Sequence, residues 1–408
     1  MKRILYFDNW DKGYRNFLRL DSRFKERGYD TLLVHTSSWI RNDVEKEKTL
    51  QGLKFRDVSY YRTNRIKKII KKEAPSAIVI LNLSFILDRA LVKICKDLGI
   101  NLYYLAHGKL ITRESQVVVK DNMKKFGKSK LYSKVKMKNI YSLYNYFIEM
   151  KSLSKFFGFF IKASKNYTQF TAFPRYSEEL EVQKSMMYYP IDRDIMIDEY
   201  GFPPDNVIVV GNPELDDFFH TKIKDKNEFC AQDLGLEKQN YIAYIDDGLS
   251  SMRNWDTNKW LQFLKDINDV LKKHEMQMVI KLHPRRELDD ACISFFKDES
   301  IAYFKDLDFK NYIYHSHFVF SHFSSVIVYA LLLDKNVKSP RWGLSVGIEE
   351  NFPHDVIDYY YNKEDFENNL YNLAINKPAI QDYLLEAIGT SFDGKCIDRI
   401  VDEVLTGL

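Results

Sequence analysis

Hydrophobic residues follow two alternating patterns along the chain, short apolar runs and longer amphipathic stretches. The runs predict strands and the amphipathic stretches, such as Leu87–Leu98, predict helices. In the first half, the predicted strands are Arg3–Phe7, Thr31–His35, Ala77–Asn82, Asn101–Ala106, Tyr167–Phe173 and Val207–Val210. Strands that alternate with helices at this spacing predict βαβ units and a parallel sheet.

The same alternation begins again after a polar, charged stretch that follows Gly211-Asn212-Pro213. The second series of predicted strands is Tyr241–Ile245, Gln277–Leu282, Ile301–Phe304 and His317–Phe320, and the predicted helices are Trp255–His274, Leu288–Lys297 and Ser324–Leu333. Two such series predict two doubly wound domains, with the boundary between residues 212 and 238. We expect domains at 1–215 and 238–390, with a C-terminal helix at 391–408 that crosses back onto the first domain.

Three polar motifs follow predicted strands of the second domain. Ligands of doubly wound sheets bind at the carboxyl ends of the strands, so these positions are the first candidates for chemistry. Asp246-Asp247-Gly248 follows the first strand, and one of its carboxylates could act as a general base or as a nucleophile. The same three residues also favour a turn followed by a helix N-cap, which is the structural alternative.

The other two motifs carry groups suited to a phosphate. Lys281-Leu282-His283-Pro284 ends the second strand, and Arg285 and Arg286 add positive charge beside it. Ser321-His322-Phe323-Ser324-Ser325 lies before a predicted helix, where hydroxyls and free N–H groups favour an anion. The alternatives are a histidine in a turn and simple capping of the helix by Ser324.

Taken in this order, the motifs resemble those of bacterial sialyltransferases, polysialyltransferases and Kdo transferases. The matching residues are Asp246-Asp247-Gly248, His283-Pro284 and Ser324-Ser325, within about residues 240–335. The resemblance implies an α/β fold of the GT-B class, with two Rossmann-like domains facing a central cleft. It also implies a transferase that moves a keto-acid sugar, sialic-acid-like or Kdo, from a CMP donor to a capsule or lipopolysaccharide glycan.

The resemblance assigns roles to these residues. Asp246 would be the catalytic carboxylate, and Asp247 would orient it or the acceptor. His283 would hold the donor phosphate and assist the departure of CMP. The remaining donor-binding residues would be Gly248, Lys281, Pro284, Ser324 and Ser325. The second domain would then be the donor domain and the first the acceptor-side domain.

The first half is also similar to capsule-polysaccharide biosynthesis proteins. Leu105-Ala106-His107-Gly108-Lys109-Leu110, followed by Arg113-Glu114, carries this resemblance. It makes His107 and Glu114 candidates for acceptor contact or for acid/base help. Ordinary loop polarity explains both residues equally well.

Three alternatives remain open from the sequence. Polyol-phosphate transferases of teichoic-acid synthesis, which use CDP donors, resemble Lys281–Pro284, Phe318–Leu333 and Gly211-Asn212-Pro213. The last segment also recurs in sugar-nucleotide epimerases, which would convert a UDP-sugar without an acceptor. The third alternative is a non-catalytic module of the same fold in a membrane-associated assembly.

Neither a metal nor a further cofactor is expected. Asp216-Asp217 and Asp289-Asp290 have no third ligand nearby in the sequence, so they are predicted to lie on the solvated surface. The single phosphate of a CMP donor can be neutralised by lysine, histidine and serine groups. We therefore predict metal-independent transfer.

Composition and charge limit the cellular location and the kinds of partner that are expected for this protein. The net charge of +4 is small, and no nucleic-acid-binding motif accompanies it, so nucleic acid is not expected as a partner. The longest apolar runs, near 77–87 and 325–333, are shorter than the ~18 residues of a membrane span. Four widely separated cysteines suit a reduced, cytoplasmic protein.

One segment, near 120–165, combines many lysines with aromatic residues and predicts an insertion in the first domain. Seven lysines between Lys124 and Lys138 precede Tyr141, Tyr144 and the run Phe156–Phe160. Cations and aromatics in this mixture suit peripheral contact with the anionic inner face of a bacterial plasma membrane, where a lipid-linked glycan acceptor would be found. A helical insertion whose aromatics pack on the domain explains the segment equally well.

Overall fold

The structure is a computed structural model that divides into two compact units. It describes residues 2–108, 110, 112, 136–152, 154, 157–158, 161, 175–236, 239–248, 256–284, 286–342 and 350–408. The first unit comprises Met1–Phe219 and Ala387–Leu408, and the second unit comprises His220–Glu386. The chain passes from the first unit to the second at Phe219–His220 and returns at Glu386–Ala387.

The first unit is built on an eight-stranded sheet. Its strands are β1 (Arg3–Asp8), β2 (Asp30–His35), β3 (Glu47–Leu50), β4 (Leu53–Asp57), β5 (Ala77–Ile80), β6 (Asn101–Leu105), β7 (Lys184–Met187) and β8 (Val207–Val209). They lie in the order β3-β4-β2-β1-β5-β6-β7-β8. Neighbouring strands are parallel, except that β3 pairs with β4 in the antiparallel sense.

The second unit contains a six-stranded parallel sheet. Its strands are β9 (Tyr241–Ile245), β10 (Gln277–Lys281), β11 (Ala302–Phe304), β12 (Val319–Phe320), β13 (Val337–Pro340) and β14 (Asp358–Tyr360). Their order is β11-β10-β9-β12-β13-β14. This is the doubly wound 3-2-1-4-5-6 order, and the parallel strands β4-β2-β1-β5-β6-β7 of the first unit repeat it.

Helices connect the strands of both sheets. They are α1 (Tyr14–Glu26), α2 (Ile66–Glu73), α3 (Ile86–Leu98), α4 (Lys136–Met150), α5 (Pro190–Asp194), α6 (Pro213–His220), α7 (Lys226–Glu228), α8 (Thr257–Lys273), α9 (Asp290–Asp298), α10 (Phe309–His315), α11 (Ile327–Leu331), α12 (Lys363–Asn368), α13 (Lys377–Ile388) and α14 (Cys396–Thr406). None of the helices in the described ranges is long and apolar enough to cross a membrane.

The central strands are buried because helices cover both faces of a doubly wound sheet. In β1, Ile4, Leu5 and Tyr6 are fully buried, and the Tyr6 ring stacks on Phe17 of α1 at 4.6 Å between centroids. In the second unit all five residues of β9 are buried. This explains why the apolar runs predicted these two strands within one residue of their observed ends.

Each sheet has a switch point, the place where the strand order changes direction. It lies between β1 and β5 in the first unit and between β9 and β12 in the second. The crevice outside the carboxyl ends at such a point is where doubly wound domains bind ligands. An aspartate stands there in each unit, Asp8 at the end of β1 and Asp246 directly after β9.

Some sequence predictions differ from the structure. The predicted helix from Ser324 begins only at Ile327 and ends at Leu331, because the chain first makes a turn in which the Ser324 hydroxyl accepts a hydrogen bond from the Val326 N–H at 3.3 Å. Asp216 was expected on the solvated surface, and that was wrong. It is 3% exposed and caps α14 by accepting hydrogen bonds from the N–H groups of Cys396 (2.9 Å) and Ile397 (2.7 Å).

The predicted strand Tyr167–Phe173 and most of the basic aromatic segment near 120–165 lie outside the described residues. The four cysteines are free and buried.

Candidate functional site

Asp246 lies at the switch point of the second unit and is held by four hydrogen bonds. Its Oδ1 accepts from the Gly248 N–H at 2.9 Å and from Arg286 Nη2 at 3.1 Å. Its Oδ2 accepts from the His283 N–H at 3.2 Å and from Arg286 Nε. The side chain is 0% exposed. The carboxylate therefore ties the loop after β9 to the loop after β10.

Arg286 completes this arrangement from the side of β10. Its guanidinium forms a buried ion pair with Asp246 and lies 3.8 Å from the centroid of the Trp260 ring on α8. The planar guanidinium can bind a carboxylate with two donors while its face packs on an aromatic ring. The sequence suggested Arg286 as a cation for a phosphate, but in the structure it is committed to Asp246. Arg285 lies outside the described residues.

Asp247 makes the corresponding connection across the switch point to β12. Its Oδ1 accepts from the Ser321 hydroxyl at 3.0 Å. Its Oδ2 accepts from the His322 N–H at 2.7 Å and lies 3.0 Å from His322 Nδ1. All three side chains are fully buried or nearly so. Ser321 and His322 belong to a motif that the sequence analysis identified, but neither residue was predicted to have a role of its own.

The two carboxylates thus have no oxygen without a donor among the described residues. A buried carboxylate that accepts three or four hydrogen bonds is held in one position. Such an arrangement joins three loops, those after β9, β10 and β12, into one framework. The catalytic role predicted for Asp246 stays a prediction, and the geometry gives both aspartates a positioning role.

The glycine of this motif is required by the backbone. Gly248 has φ +72, in the left-handed region that residues with a Cβ avoid. This conformation turns the chain so that the Gly248 N–H reaches back to Asp246. Gly248 therefore shapes the loop that follows β9.

Lys281 and Pro284 line a cavity of about 270 Å³ at the carboxyl ends of β10 and β11. Lys305, Asp306 and Leu307, which follow β11, complete its lining. Burial lowers the pKa of Lys281, while the nearby carboxylates of Asp306 and Asp246 oppose that effect. The sequence predicted Lys281 and Pro284 as donor-binding residues but missed Lys305. Lys305 becomes a candidate only because β11 lies beside β10.

The remaining predicted residues of the second unit lie around this framework. His283 is half-buried next to the exposed Pro284, and its backbone N–H is already bonded to Asp246. Ser324 is half-buried and Ser325 is exposed in the turn before α11. Because α11 is short, its N-terminus gives little support for anion binding, and the two hydroxyls remain as candidates.

His107 and Glu114 were the candidates of the first unit. His107 is exposed directly after β6, where surrounding protein lowers its pKa and a hydrogen bond with the Leu81 backbone opposes that effect. Glu114 lies outside the described residues. Within the described ranges, no group of three or more His, Cys, Asp or Glu side chains could hold a metal ion. Metal independence stays a prediction.

No protein-family model matches the sequence, and no curated protein is significantly similar to it. Solved structures do resemble the fold over the whole chain. UDP-GlcNAc 2-epimerase from Neisseria meningitidis, bound to UDP-GlcNAc, matches with a TM-score of 0.53 at 12% identity, covering 100% of both chains.

Two glycosyltransferases match in the same way. A glycosyltransferase from Rickettsia africae matches with a TM-score of 0.52 at 13% identity, covering 100% of this chain and 99% of the other. WaaG, a glycosyltransferase involved in lipopolysaccharide biosynthesis, matches with a TM-score of 0.50 at 11% identity, covering 99% of each chain. Identities this low show the fold alone, and they confirm the predicted GT-B class with its two Rossmann-like units.

Proposed function

We propose that the protein is a glycosyltransferase that binds the nucleotide of a nucleotide-sugar donor at the carboxyl edge of the sheet in the second unit. The observation that carries the proposal is the framework around Asp246 and Asp247. These two buried carboxylates fix three loops at the switch point, where doubly wound domains bind nucleotides. A buried network this well satisfied holds a binding edge in one geometry.

The cavity beside this framework suits part of such a donor. Its volume of about 270 Å³ lies just below the ~300–1,000 Å³ of sites that enclose a whole drug-sized ligand. Pro284 and Leu307 offer apolar surface to a base, and Lys281 and Lys305 offer positive charge to a phosphate. The half-buried His283 lies next to Pro284, where its side chain would assist the departure of the nucleotide.

Within this proposal, the donor is a CMP-linked keto-acid sugar and the acceptor is a capsule or lipopolysaccharide glycan. The order of the Asp-Asp-Gly, His-Pro and Ser-Ser motifs supports this choice. A second candidate is the conversion of a UDP-sugar in the manner of an epimerase. The similarity in fold to a UDP-GlcNAc 2-epimerase with UDP-GlcNAc bound favours that candidate.

The first test is a thermal-shift comparison of CMP, UMP, CDP and UDP on the full chain. A nucleotide at a hundred times its dissociation constant stabilises the protein by about 2.7 kcal/mol. We expect CMP to give the largest shift. A preference for CDP would instead indicate a polyol-phosphate transferase, a preference for UDP would indicate the epimerase or a hexosyltransferase, and no shift with any nucleotide would overturn the proposal.

Lys281→Ala tests the place of the nucleotide. Loss of one charge-assisted contact to a phosphate should weaken nucleotide binding about tenfold. Lys377→Ala is the matched control, because Lys377 pairs with Asp334 at an exposed position of the same unit. If the two variants bind the nucleotide with equal affinity, the nucleotide does not bind in this cavity.

Asp246→Asn separates the two roles considered for this carboxylate. A catalytic carboxylate predicts lost turnover with nucleotide affinity unchanged. A positioning carboxylate predicts that nucleotide affinity falls together with turnover, because the loops after β9 and β10 lose their shared ion pair. The geometry favours the second result.

We also propose peripheral contact with an anionic membrane on the cytoplasmic side. Support comes from α4, at the end of the basic segment, where Ile140 is 54% and Tyr144 is 44% exposed. Such exposed apolar residues next to lysines favour an anionic bilayer surface. Co-sedimentation with phosphatidylglycerol vesicles but not with phosphatidylcholine vesicles is the expected result, and equal behaviour with both would contradict it.

A further inference from the structure

The switch point of the first unit carries its own group of polar and aromatic residues. Asp8 ends β1 and is 5% exposed. Its Oδ1 accepts hydrogen bonds from the Asn9 N–H at 2.6 Å and from Asn82 Nδ2, just beyond β5, at 3.3 Å. The carboxylate therefore lies between the carboxyl ends of the two strands that flank the switch point.

The chain after Asp8 is shaped around this carboxylate. A Cβ on Gly13 would lie 2.1 Å from Asp8 Oδ2, so only glycine lets the chain pass this close. Asn9 is 2% exposed, and its Oδ1 has no hydrogen-bond partner among the described residues. A buried amide oxygen without a donor is costly, and a ligand or a bound water can supply that donor.

An aromatic surface lies directly beside these polar groups. Trp10, two residues after Asp8, is 48% exposed although the Lys138 ammonium from α4 lies 5.6 Å from its ring centroid. The same ammonium lies 4.9 Å from the ring of Phe85. An indole ring exposed to this extent offers a ligand a large apolar face, and the burial of such a ring is a large source of binding energy.

His107 adds a residue from the next strand of the sheet to this group. It follows β6, which lies beside β5 in the sheet, and its side chain is exposed. Carboxylate, amide, imidazole and indole groups thus follow three neighbouring strands at one edge of the sheet.

We propose that this edge of the first unit binds a neutral sugar residue, with Trp10 as the stacking surface and Asp8 and His107 as hydrogen-bond partners of its hydroxyl groups. A sugar offers an apolar C–H face to an indole and hydroxyl donors to a carboxylate. A phosphate is disfavoured, because it would place a second anion beside Asp8. Identifying this sugar as the acceptor of the transfer rests on the proposed function, whereas the binding itself does not.

The ionisation of Asp8 supports a role in binding. Burial raises its pKa to about 6, although two backbone N–H groups, Lys138 and His35 favour the charged form. Asp88 on α3 lies close to Asp8 and interacts with the same lysine, and burial raises its pKa to about 7. At neutral pH the fold thus keeps a carboxylate ionised at a cost in stability, which is typical of functional sites.

The experiment is saturation-transfer NMR of the full chain with four probes, the methyl glycosides of glucose, galactose, mannose and N-acetylglucosamine. We expect at least one glycoside to bind, with the strongest transfer at its ring C–H protons. Trp10→Ala and Asp8→Asn should each weaken that binding about fivefold or more. Absence of transfer to all four glycosides in the wild type would overturn the proposal.

Matched controls distinguish a binding role from a structural one. Asp216→Asn changes another buried carboxyl of the first unit, one that caps α14 through the N–H groups of Cys396 and Ile397. Tyr371→Ala removes an exposed aromatic side chain from the second unit. Both should keep the wild-type sugar affinity. If they weaken it as much as Asp8→Asn and Trp10→Ala do, the first-unit edge is not the site.

The proposal can fail independently of the proposed function. Trp10→Ala and Asp8→Asn should keep the wild-type thermal shift with nucleotide, while Lys281→Ala should keep sugar binding. Nucleotide binding without sugar binding would reject this inference alone. Sugar binding without nucleotide binding would reject the proposed function alone.

Discussion

Each of the two switch points carries an aspartate at the corresponding place, but the groups around the two aspartates differ. Asp8 ends the first strand of one sheet, and Asp246 directly follows the first strand of the other. Asp246 is neutralised by a buried arginine and two backbone N–H groups. Asp8 has no such ion pair at contact distance among the described residues, and burial raises its pKa to about 6.

This difference shows that position in the fold does not by itself define the role of a carboxylate. Both aspartates lie where doubly wound sheets bind ligands. The one that is paired with an arginine stabilises the loops, and we infer that the one without an ion pair is available to a ligand. Three substitutions test this contrast, and the sugar and nucleotide experiments described above test its functional side.

Arg286→Met should have the largest effect, because it leaves the Asp246 carboxylate buried without its ion pair. Breaking a buried pair from one side costs about 3–5 kcal/mol. For a unit of this size, that corresponds to a melting temperature lower by roughly 6–20 °C. Thermal melting followed by circular dichroism measures the change.

The control for Arg286→Met is Arg19→Met. Arg19 pairs with Glu214 and Asp217, whose side chains are 57% and 60% exposed. Loss of such surface pairs should cost less than ~1 kcal/mol. If both variants melt at the same temperature, Asp246 does not depend on Arg286, and the contrast between the two aspartates fails.

Asp8→Asn should have the next largest effect, with the opposite sign. Because the folded state raises the pKa of Asp8 from 3.8 to about 6, it binds the proton more tightly than the unfolded chain does. Wild-type stability therefore falls as the pH rises from about 4 to 6. The asparagine variant avoids this loss and should be more stable by ~2–3 kcal/mol near neutral pH.

Melting curves of Asp8→Asn and wild type, recorded from below pH 4 to about pH 8, measure this difference. The two proteins should have similar stability at the acidic end and diverge as the pH rises. Asp246→Asn is the control, and it should lose stability near neutral pH because its carboxylate is paired. A loss of stability in Asp8→Asn at neutral pH would show that the ionised form of Asp8 is stabilised.

Gly13→Ala should have the smallest of the three effects, a loss of about 1–2 kcal/mol. The added Cβ would overlap Asp8 Oδ2 and lie 3.3 Å from Leu81 Cδ1. Gly108→Ala is the control, since a Cβ there meets nothing within 4 Å. Urea denaturation of both variants measures the difference, and equal stability would mean that the Asp8 carboxyl can move aside.

The sequence predicted the strands that contain a continuous apolar run, and it missed short strands in which charged residues interrupt the apolar ones, such as β3, β4 and β13. β9 and β1 were predicted because their residues are buried among hydrophobic neighbours. β13 was missed because it contains Lys338. That lysine is fully buried, and its ammonium donates hydrogen bonds to the carbonyls of Asn369 (3.0 Å) and Asn372 (2.8 Å). Partners more than thirty residues away leave no periodic signal in the sequence.

The sequence likewise identified some residues of the candidate site and missed others. Asp246, Lys281 and the Ser321–Ser325 motif were identified because each follows a predicted strand. Arg286 as the partner of Asp246, Lys305 and the group around Asp8 were not identified. Asp8 and Asn9 were visible as the polar end of the first strand, and Trp10 follows them directly, so an exposed aromatic beside that strand end was the available signal.

The sequence by itself determined the alternation of strands and helices, and with it the two doubly wound units and the polar residues at their strand ends. Only the tertiary structure decided which donor reaches each carboxylate. Arg286 is 40 residues from Asp246, and His322 is 75 residues from Asp247. These contacts depend on β9 lying between β10 and β12, and strand order is set by packing of the whole sheet, which the hydrophobic pattern of single segments does not encode.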